Sequence, residues 1–306
     1  MATNPCTRGS AHAGEPMLGT APRAQVWIAI EQPGPYGTEA LTDSRFPSPI
    51  GEQLLKAVES LPIKVLLVRP AGPLALRRNR QNQQPPDGRK VWVARATPGR
   101  SAMVSTTITD PGRLLALDLD ALLEADLADV VPQATTESAP LLLVCTNGRR
   151  DACCARLARP VADSLGDEPR WRGRVWESSH LGGHRFAPTA LQLPHGWTYG
   201  RLDASAAGSV MEAADAGRVE LTHLRGRSSL TSEAQVADAS VRAAHQILGL
   251  DATTVTAGDD AGEWVISSAG RSYQQRLNQV SGPARPESCD GSIAPWTAFI
   301  AAEEGP

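Results

Sequence analysis

Short apolar runs alternate along this chain with amphipathic stretches, the pattern of strands and helices taken in turn. Five apolar residues in a row, Val26-Trp27-Ile28-Ala29-Ile30, predict a buried strand. Pro33, Gly34, Pro35 and Gly37 then force a loop. Residues 51–60 place Leu54, Leu55 and Val58 on one side, as a helix does. Strands follow at 63–69 and 91–94, separated by a polar, Gln-, Asn- and Pro-rich loop over 77–90. Residues 114–126 read as mixed strand and helix.

A polar stretch bounded by prolines, 131–140, reads as a linker. Beyond it, Leu141-Leu142-Leu143-Val144 has no polar position, the mark of a strand covered on both faces. Asp151 is placed to cap a helix whose apolar side carries Cys154, Leu157, Ala158, Val161, Ala162 and Leu165, with Pro160 expected to kink it. A strand at 174–177 leads into a loop over 178–187. Residues 190–193 and 197–202 read as a hairpin, 204–216 and 232–248 as helices, and 263–268 with 271–280 as a last hairpin about Gly270. The tail from residue 283 reads as irregular. These elements predict an α/β protein of two α/β lobes: a flexible tail at 1–20, an N-terminal lobe at 21–130, and a second domain at 140–306.

Composition narrows the function classes. The chain has 306 residues, 41% of them hydrophobic, which allows a sizeable core. Its net charge of −3 and scattered arginines lack the clustered positive charge that nucleic-acid binding needs, so no nucleic-acid partner is expected. No apolar run is long enough to span a membrane, and residues 1–20 lack the apolar centre of a signal peptide. The expected location is cytoplasmic.

In a reducing compartment an odd cysteine count suits metal or thiol chemistry better than a disulfide framework. There are five: Cys6, Cys145, Cys153, Cys154 and Cys289. Cys145 and Cys154 run from a strand end into a helix start. His180 and His184, spaced by Leu181-Gly182-Gly183, follow another strand. Two pairs converging from separate strand ends would make a Cys2His2 site, suited to zinc or to iron–sulfur chemistry. Spacing alone leaves the metal open and leaves Cys153 as a substitute for Cys154. Arg149, Arg150 and Arg185 flank the pairs, and Ser178 and Ser179 precede the histidines. His195, Trp176 and Trp197 read as structural positions, and the Arg225-Gly226-Arg227 run as able to dock an anion, although no phosphate-loop pattern surrounds it.

The stretch Cys145-Thr146-Asn147-Gly148-Arg149-Arg150-Asp151-Ala152-Cys153-Cys154-Ala155 resembles the first signature of the sucrase/ferredoxin-like family. Trp176-Glu177-Ser178-Ser179-His180-Leu181-Gly182-Gly183-His184-Arg185-Phe186-Ala187 resembles the second. Leu193–Arg201 and Leu224–Ser228 are similar to the family as well. The resemblance implies that the second domain is a thioredoxin-like ferredoxin with a C-terminal helix and hairpin extension. It implies a [2Fe–2S] cluster held by Cys145, Cys154, His180 and His184. The implied role is one-electron transfer or redox sensing with an unknown redox partner protein, rather than a stand-alone enzyme. Two other readings stay open: a thiol-dependent oxidoreductase using Cys153 or Cys154, and a structural zinc module for protein interaction. Nothing supports sucrase chemistry, because no placed carboxylate pair stands out.

Overall fold

Ten of the chain's strands lie side by side in one mixed sheet, whose middle is formed by the apolar runs at 26–30 and 141–144. The computed structural model describes residues 6–72 and 88–302. The polar loop expected at 77–90 falls almost wholly outside them. In chain order the elements are α1 (Cys6–His12), β1 (Val26–Glu31), α2 (Ala40–Asp43), α3 (Ser48–Val58), β2 (Ile63–Pro70), β3 (Arg89–Arg95) and β4 (Ala102–Ile108). Then come α4 (Ala121–Glu124), α5 (Leu127–Val130), β5 (Thr135–Thr136), β6 (Leu141–Cys145), α6 (Ala152–Asp167), β7 (Val175–Ser178), β8 (Ala190–Leu193) and β9 (Trp197–Tyr199). The chain continues with α7 (Ala204–Asp215), β10 (Leu224–Arg227), α8 (Ser232–His245), β11 (Thr254–Ala257), β12 (Glu263–Ser268), β13 (Arg271–Pro286) and β14 (Ile293–Ala301).

The large sheet has the order β10-β9-β8-β6-β7-β2-β1-β3-β4-β5. β1 and β2 are parallel, as are β6 and β7, and the two pairs meet where β2 runs antiparallel to β7. The stretches read from sequence as two lobes therefore share one hydrogen-bonded sheet. Trp92 of β3 and Trp176 of β7 cross this seam edge to face, with ring centroids 4.6 Å apart. Alternation along β1 sorts its side chains between layers. Val26, Ile28 and Ile30 pack with Leu54 and Val58 of α3, while Trp27 and Ala29 join Leu143, Cys145 and Trp176 on the other face.

Helix α6 forms as its pattern predicts. Asp151 caps it by accepting the Cys153 backbone N–H at 2.8 Å. Pro160 lies inside without ending it; Pro160 and Arg156, whose carbonyl loses its partner, are both exposed to water. Leu157, expected on the apolar face, is 43% exposed, and Ala158, Val161, Ala162 and Leu165 carry the packing.

Two expectations about the chain's ends do not hold. The stretch expected as a flexible tail carries α1 from residue 6, with Cys6 and Ser10 fully buried. The segment from residue 283, expected to be irregular, completes β13 and continues into β14, in a second sheet of order β11-β12-β13-β14. Neither segment shows a local apolar period. Long-range pairing orders them: Glu15 accepts two hydrogen bonds from Arg285 and one from Arg185, and the Trp296 indole donates to the Ala13 carbonyl. The hairpin about Gly270 forms as expected, with Ala269 and Gly270 both at positive φ.

Candidate metal centre

Strand β6 ends at Cys145, and the following loop folds α6 back so that its first turn lies over the strand end. Cys154 is thus the one α6 core residue that packs in the cluster of Cys145 rather than with Ala158 and Val161. β7 runs parallel to β6, so the loop after β7 emerges at the same end and delivers His180. One ligand atom each from Cys145, Cys154 and His180 lies within 4.8 Å of the others. Both thiols are buried and the imidazole is half-buried.

His184 stands beside this group and not inside it. Its ring centroid is 5.6 Å from that of His180. Its Nε2 is 3.1 Å from the Glu287 carbonyl, and its Nδ1 lies 3.3 Å from an Asp151 oxygen, at ion-pair range. Burial pushes the His184 pKa down, outweighing the pull of Asp151. Gly182 and Gly183 both adopt positive φ, which turns the chain between the two histidines. A Cβ at Gly183 would come within 2.3 Å of the Arg225 guanidinium, so only glycine allows that approach.

The thiols share a proton unequally. Cys145 is held well below the ordinary thiol range, first by the hydrogen bond from Cys154 and then by His180 and the Leu181 N–H, against burial. Cys154, the donor, is pushed up correspondingly, by that same bond and by burial. The arrangement is a thiolate, a thiol and an imidazole in a dry corner, a soft donor set for zinc or iron. Several buried polar atoms on the adjoining residues have no hydrogen-bond partner: Asn147 Nδ2, Ser178 Oγ, His180 Nδ1 and Thr189 Oγ1. Ser178 is the register partner of Cys145 across β6 and β7. Ser179, by contrast, is structural, accepting the Leu67 N–H at 3.1 Å.

Arg225, from the run read as able to dock an anion, is a buried cation against the histidine loop. It is 1% exposed, and among the described residues no carboxylate lies within ion-pair distance. Its guanidinium donates to the Gly182 carbonyl at 3.1 Å and to the carbonyl and hydroxyl of Thr20. Burial and the neighbouring Arg185 push its pKa down, and the attraction of Cys145 and Cys154 pushes it back up. The buried cation is thus held by neutral oxygen acceptors against the histidine loop and is attracted electrostatically by Cys145 and Cys154. Of the flanking arginines, Arg185 pairs with Glu15 and Arg150 with Glu39, and neither pairs with Asp151. Arg227 is tied to Asp251 at 2.5 Å.

The loop at 32–37 reaches the same strand ends. The Tyr36 hydroxyl donates to the Glu177 carbonyl at 3.0 Å, and Arg69 pairs with Glu177 at 2.6 Å while donating to the Gly34 carbonyl. Thr146, next to Cys145, donates to the same Glu177 carboxylate at 2.6 Å. On the outer side, His180 lines a pocket of about 130 Å³ together with Glu39, Leu55, Arg150 and Ser179.

Cys153 points away from this group. It lies with Cys6, Cys289 and Asp151 in a second cluster. Its pKa is lowered to about 5, chiefly by the hydrogen bond from the Cys6 thiol. Among the described residues, no helix is long and apolar enough to cross a membrane.

No curated protein matches this chain, and no solved structure does. The family model described as sucrase/ferredoxin-like matches residues 17–226, more than two thirds of the 306. That span contains both signatures and every strand of the large sheet up to Gly226 of β10, so the chain belongs to the sucrase/ferredoxin-like family.

Proposed function

We propose that this protein is a one-electron carrier or redox sensor that holds a [2Fe–2S] cluster through Cys145, Cys154, His180 and His184. The observation that carries the reading is the convergence of Cys145, Cys154 and His180 at one end of β6 and β7. When bound, such a cluster takes up and returns one electron. His184 follows His180 across three residues, two of them positive-φ glycines, with its ring centroid 5.6 Å from that of His180, and it would complete the set by leaving the Glu287 carbonyl and Asp151.

Iron–sulfur is favoured over zinc by the unpartnered polar atoms. A zinc site would offer the Ser178 hydroxyl and Asn147 amide nothing beyond thiolates to bond, whereas bridging sulfides accept hydrogen bonds. Arg225 offsets negative charge from the buried side and holds the histidine loop through the Gly182 carbonyl. The strand order β7-β6-β8-β9, with α6 joining parallel β6 to β7 and α7 after β9, supports the thioredoxin-like reading of this part of the sheet.

His180 is half-buried and lines an open pocket, so electrons would enter and leave there. The partner is a redox protein, reductase or acceptor, that docks there. Arg150 lines the pocket paired with Glu39, and the neighbouring Arg149 is exposed and favours an acidic group on the partner.

The test is iron and sulfide analysis with a visible spectrum on anaerobically purified full-length protein, beside His180→Cys. About two irons and two sulfides per chain, with a spectrum altered in the variant, is the expected result. A colourless protein that contains zinc in place of iron, and that resists reconstitution, would overturn the reading.

A further inference from the structure

Three of the five cysteines lie outside the centre just described, and they come from distant parts of the chain to one spot. Cys6 stands at the start of α1, Cys153 in the first turn of α6, and Cys289 in the turn between β13 and β14. Their sulfurs are separated by 3.7 Å (Cys6 to Cys153), 3.7 Å (Cys6 to Cys289) and 3.1 Å (Cys153 to Cys289). The Asp151 carboxylate completes the group, 3.7 Å from the Cys6 sulfur and 3.2 Å from that of Cys289. Cys6, Cys153 and Asp151 are buried and Cys289 is half-buried.

A tetrahedral zinc ion with Zn–S bonds of about 2.3 Å places its sulfurs about 3.8 Å apart. With a Zn–O bond of about 2.1 Å the sulfur-to-oxygen separation is about 3.6 Å. The observed separations scatter around these values, with one sulfur pair closer. A disulfide does not account for the group as well. The shortest sulfur pair is well beyond the bond length of about 2.05 Å, and any one disulfide would leave a third buried thiol and a buried carboxylate without a role.

The carboxylate is already fixed for ligation. Asp151 accepts the Cys153 N–H through Oδ1 at 2.8 Å and the Cys289 N–H through Oδ2 at 2.9 Å. Oδ1 retains a further lone pair for a metal, while Oδ2 also faces the His184 Nδ1 at 3.3 Å. The backbone thus holds the carboxylate in place at the two segments that also bring thiols.

We propose that Cys6, Asp151, Cys153 and Cys289 form a structural site for one Zn²⁺ ion, separate from the centre at Cys145, Cys154 and His180. Closed four-ligand sites of this kind hold chain segments together rather than open a position to substrate. Here the segments are the N-terminal helix, the ligand-bearing end of α6 and the β13–β14 hairpin. Cys6 and Cys289 both lie outside residues 17–226, so the site is a property of this chain and not of the family match.

The experiment is elemental analysis of full-length protein, purified under reductant without chelator, for wild type, Cys289→Ser, Cys289→His and Cys145→Ser. Cys289 is the half-buried ligand, in a turn, where substitution leaves the core intact. Wild type is expected to hold about one zinc per chain, falling about tenfold in Cys289→Ser and returning in Cys289→His, whose imidazole also binds zinc. The iron content should stay unchanged across the two Cys289 variants. Cys145→Ser should lose iron and keep zinc, which separates failure of one centre from failure of the other. Wild-type protein without zinc after dialysis against zinc salt, or equal zinc in wild type and Cys289→Ser, would overturn the proposal. So would a Cys153–Cys289 disulfide found by mass spectrometry in the reduced preparation.

Discussion

Cys153 and Cys154 are neighbours in sequence yet serve different clusters, because successive residues on a helix diverge by about 100°. This geometry decides an ambiguity that sequence leaves open: Cys154 faces Cys145 and Cys153 faces Cys6. Cys154→Ser should therefore abolish the visible chromophore and the iron, whereas Cys153→Ser should keep both, as read by absorption and iron assay. Arg225 makes a second prediction at this scale. Replacing it with Gln removes a buried positive charge beside the thiolates, which favours the oxidised state. The midpoint potential measured by redox titration should fall, and Arg225→Lys should fall less. Cys145, Cys154 and His180, which the structure brings together, sit in short local signatures, whereas His184 of the same signature stands beside the group. Arg225 is legible only as a residue able to dock an anion, because its burial without a carboxylate is signalled by no neighbouring residue.

Among the elements, α6 is the one whose sequence and structure agree most fully, from the Asp151 cap to the apolar positions down to Leu165. Its two leucines separate burial from pattern. Leu165 is 2% exposed, and Leu165→Ala should lower stability by about 2–5 kcal/mol in denaturant unfolding. Leu157 has the same periodic credentials but faces water, so Leu157→Ala should change stability by less than about 0.5 kcal/mol. Elements without a period were hidden from sequence. β14 carries Pro295, and β13 has an irregular register between Gly282 and Ala284, so neither reads as a clean alternating strand. α1 is seven residues long, below the length at which a helix holds by itself, and long-range contacts order it.

Across the whole molecule the large sheet is continuous over ten strands, and ion pairs tie the N-terminal segment to the histidine loop and to β13 of the second sheet. Glu15 is the hub, held by Arg185 and by both arms of the Arg285 guanidinium. Burial raises its pKa, but the hydrogen bonds from Arg285 and Arg185 more than offset that, and the net shift is downward. A depressed carboxylate contributes stability that is present above its unfolded pKa, near 4.5, and lost as pH falls through the folded value. Glu15→Gln should thus destabilise by about 3 kcal/mol at neutral pH, and the difference from wild type should shrink below about pH 4.5 in pH-dependent thermal unfolding. The division into two lobes looked natural in sequence because residues 131–140 are polar and proline-bounded. A sequence pattern carries no record of which strands become neighbours, and the pairing of β2 with β7 is of that kind.

That pairing also bears on how such a protein can be inherited. The β2–β7 seam lies inside the matched span 17–226 and joins the strands at Val68–Ser178, Arg69–Glu177 and Pro70–Trp176, so a chain divided between the halves would bare an open strand edge on each and strip Glu177 of its Arg69 partner. Recombination that separates the two strands should therefore be selected against. The four-stranded sheet of β11 to β14 lies beyond the matched span and pairs with no strand of the large sheet. It is joined to the rest of the chain through side chains such as Arg285 on Glu15 and through the Glu287 carbonyl on His184, so its loss would loosen the loop that carries the histidines.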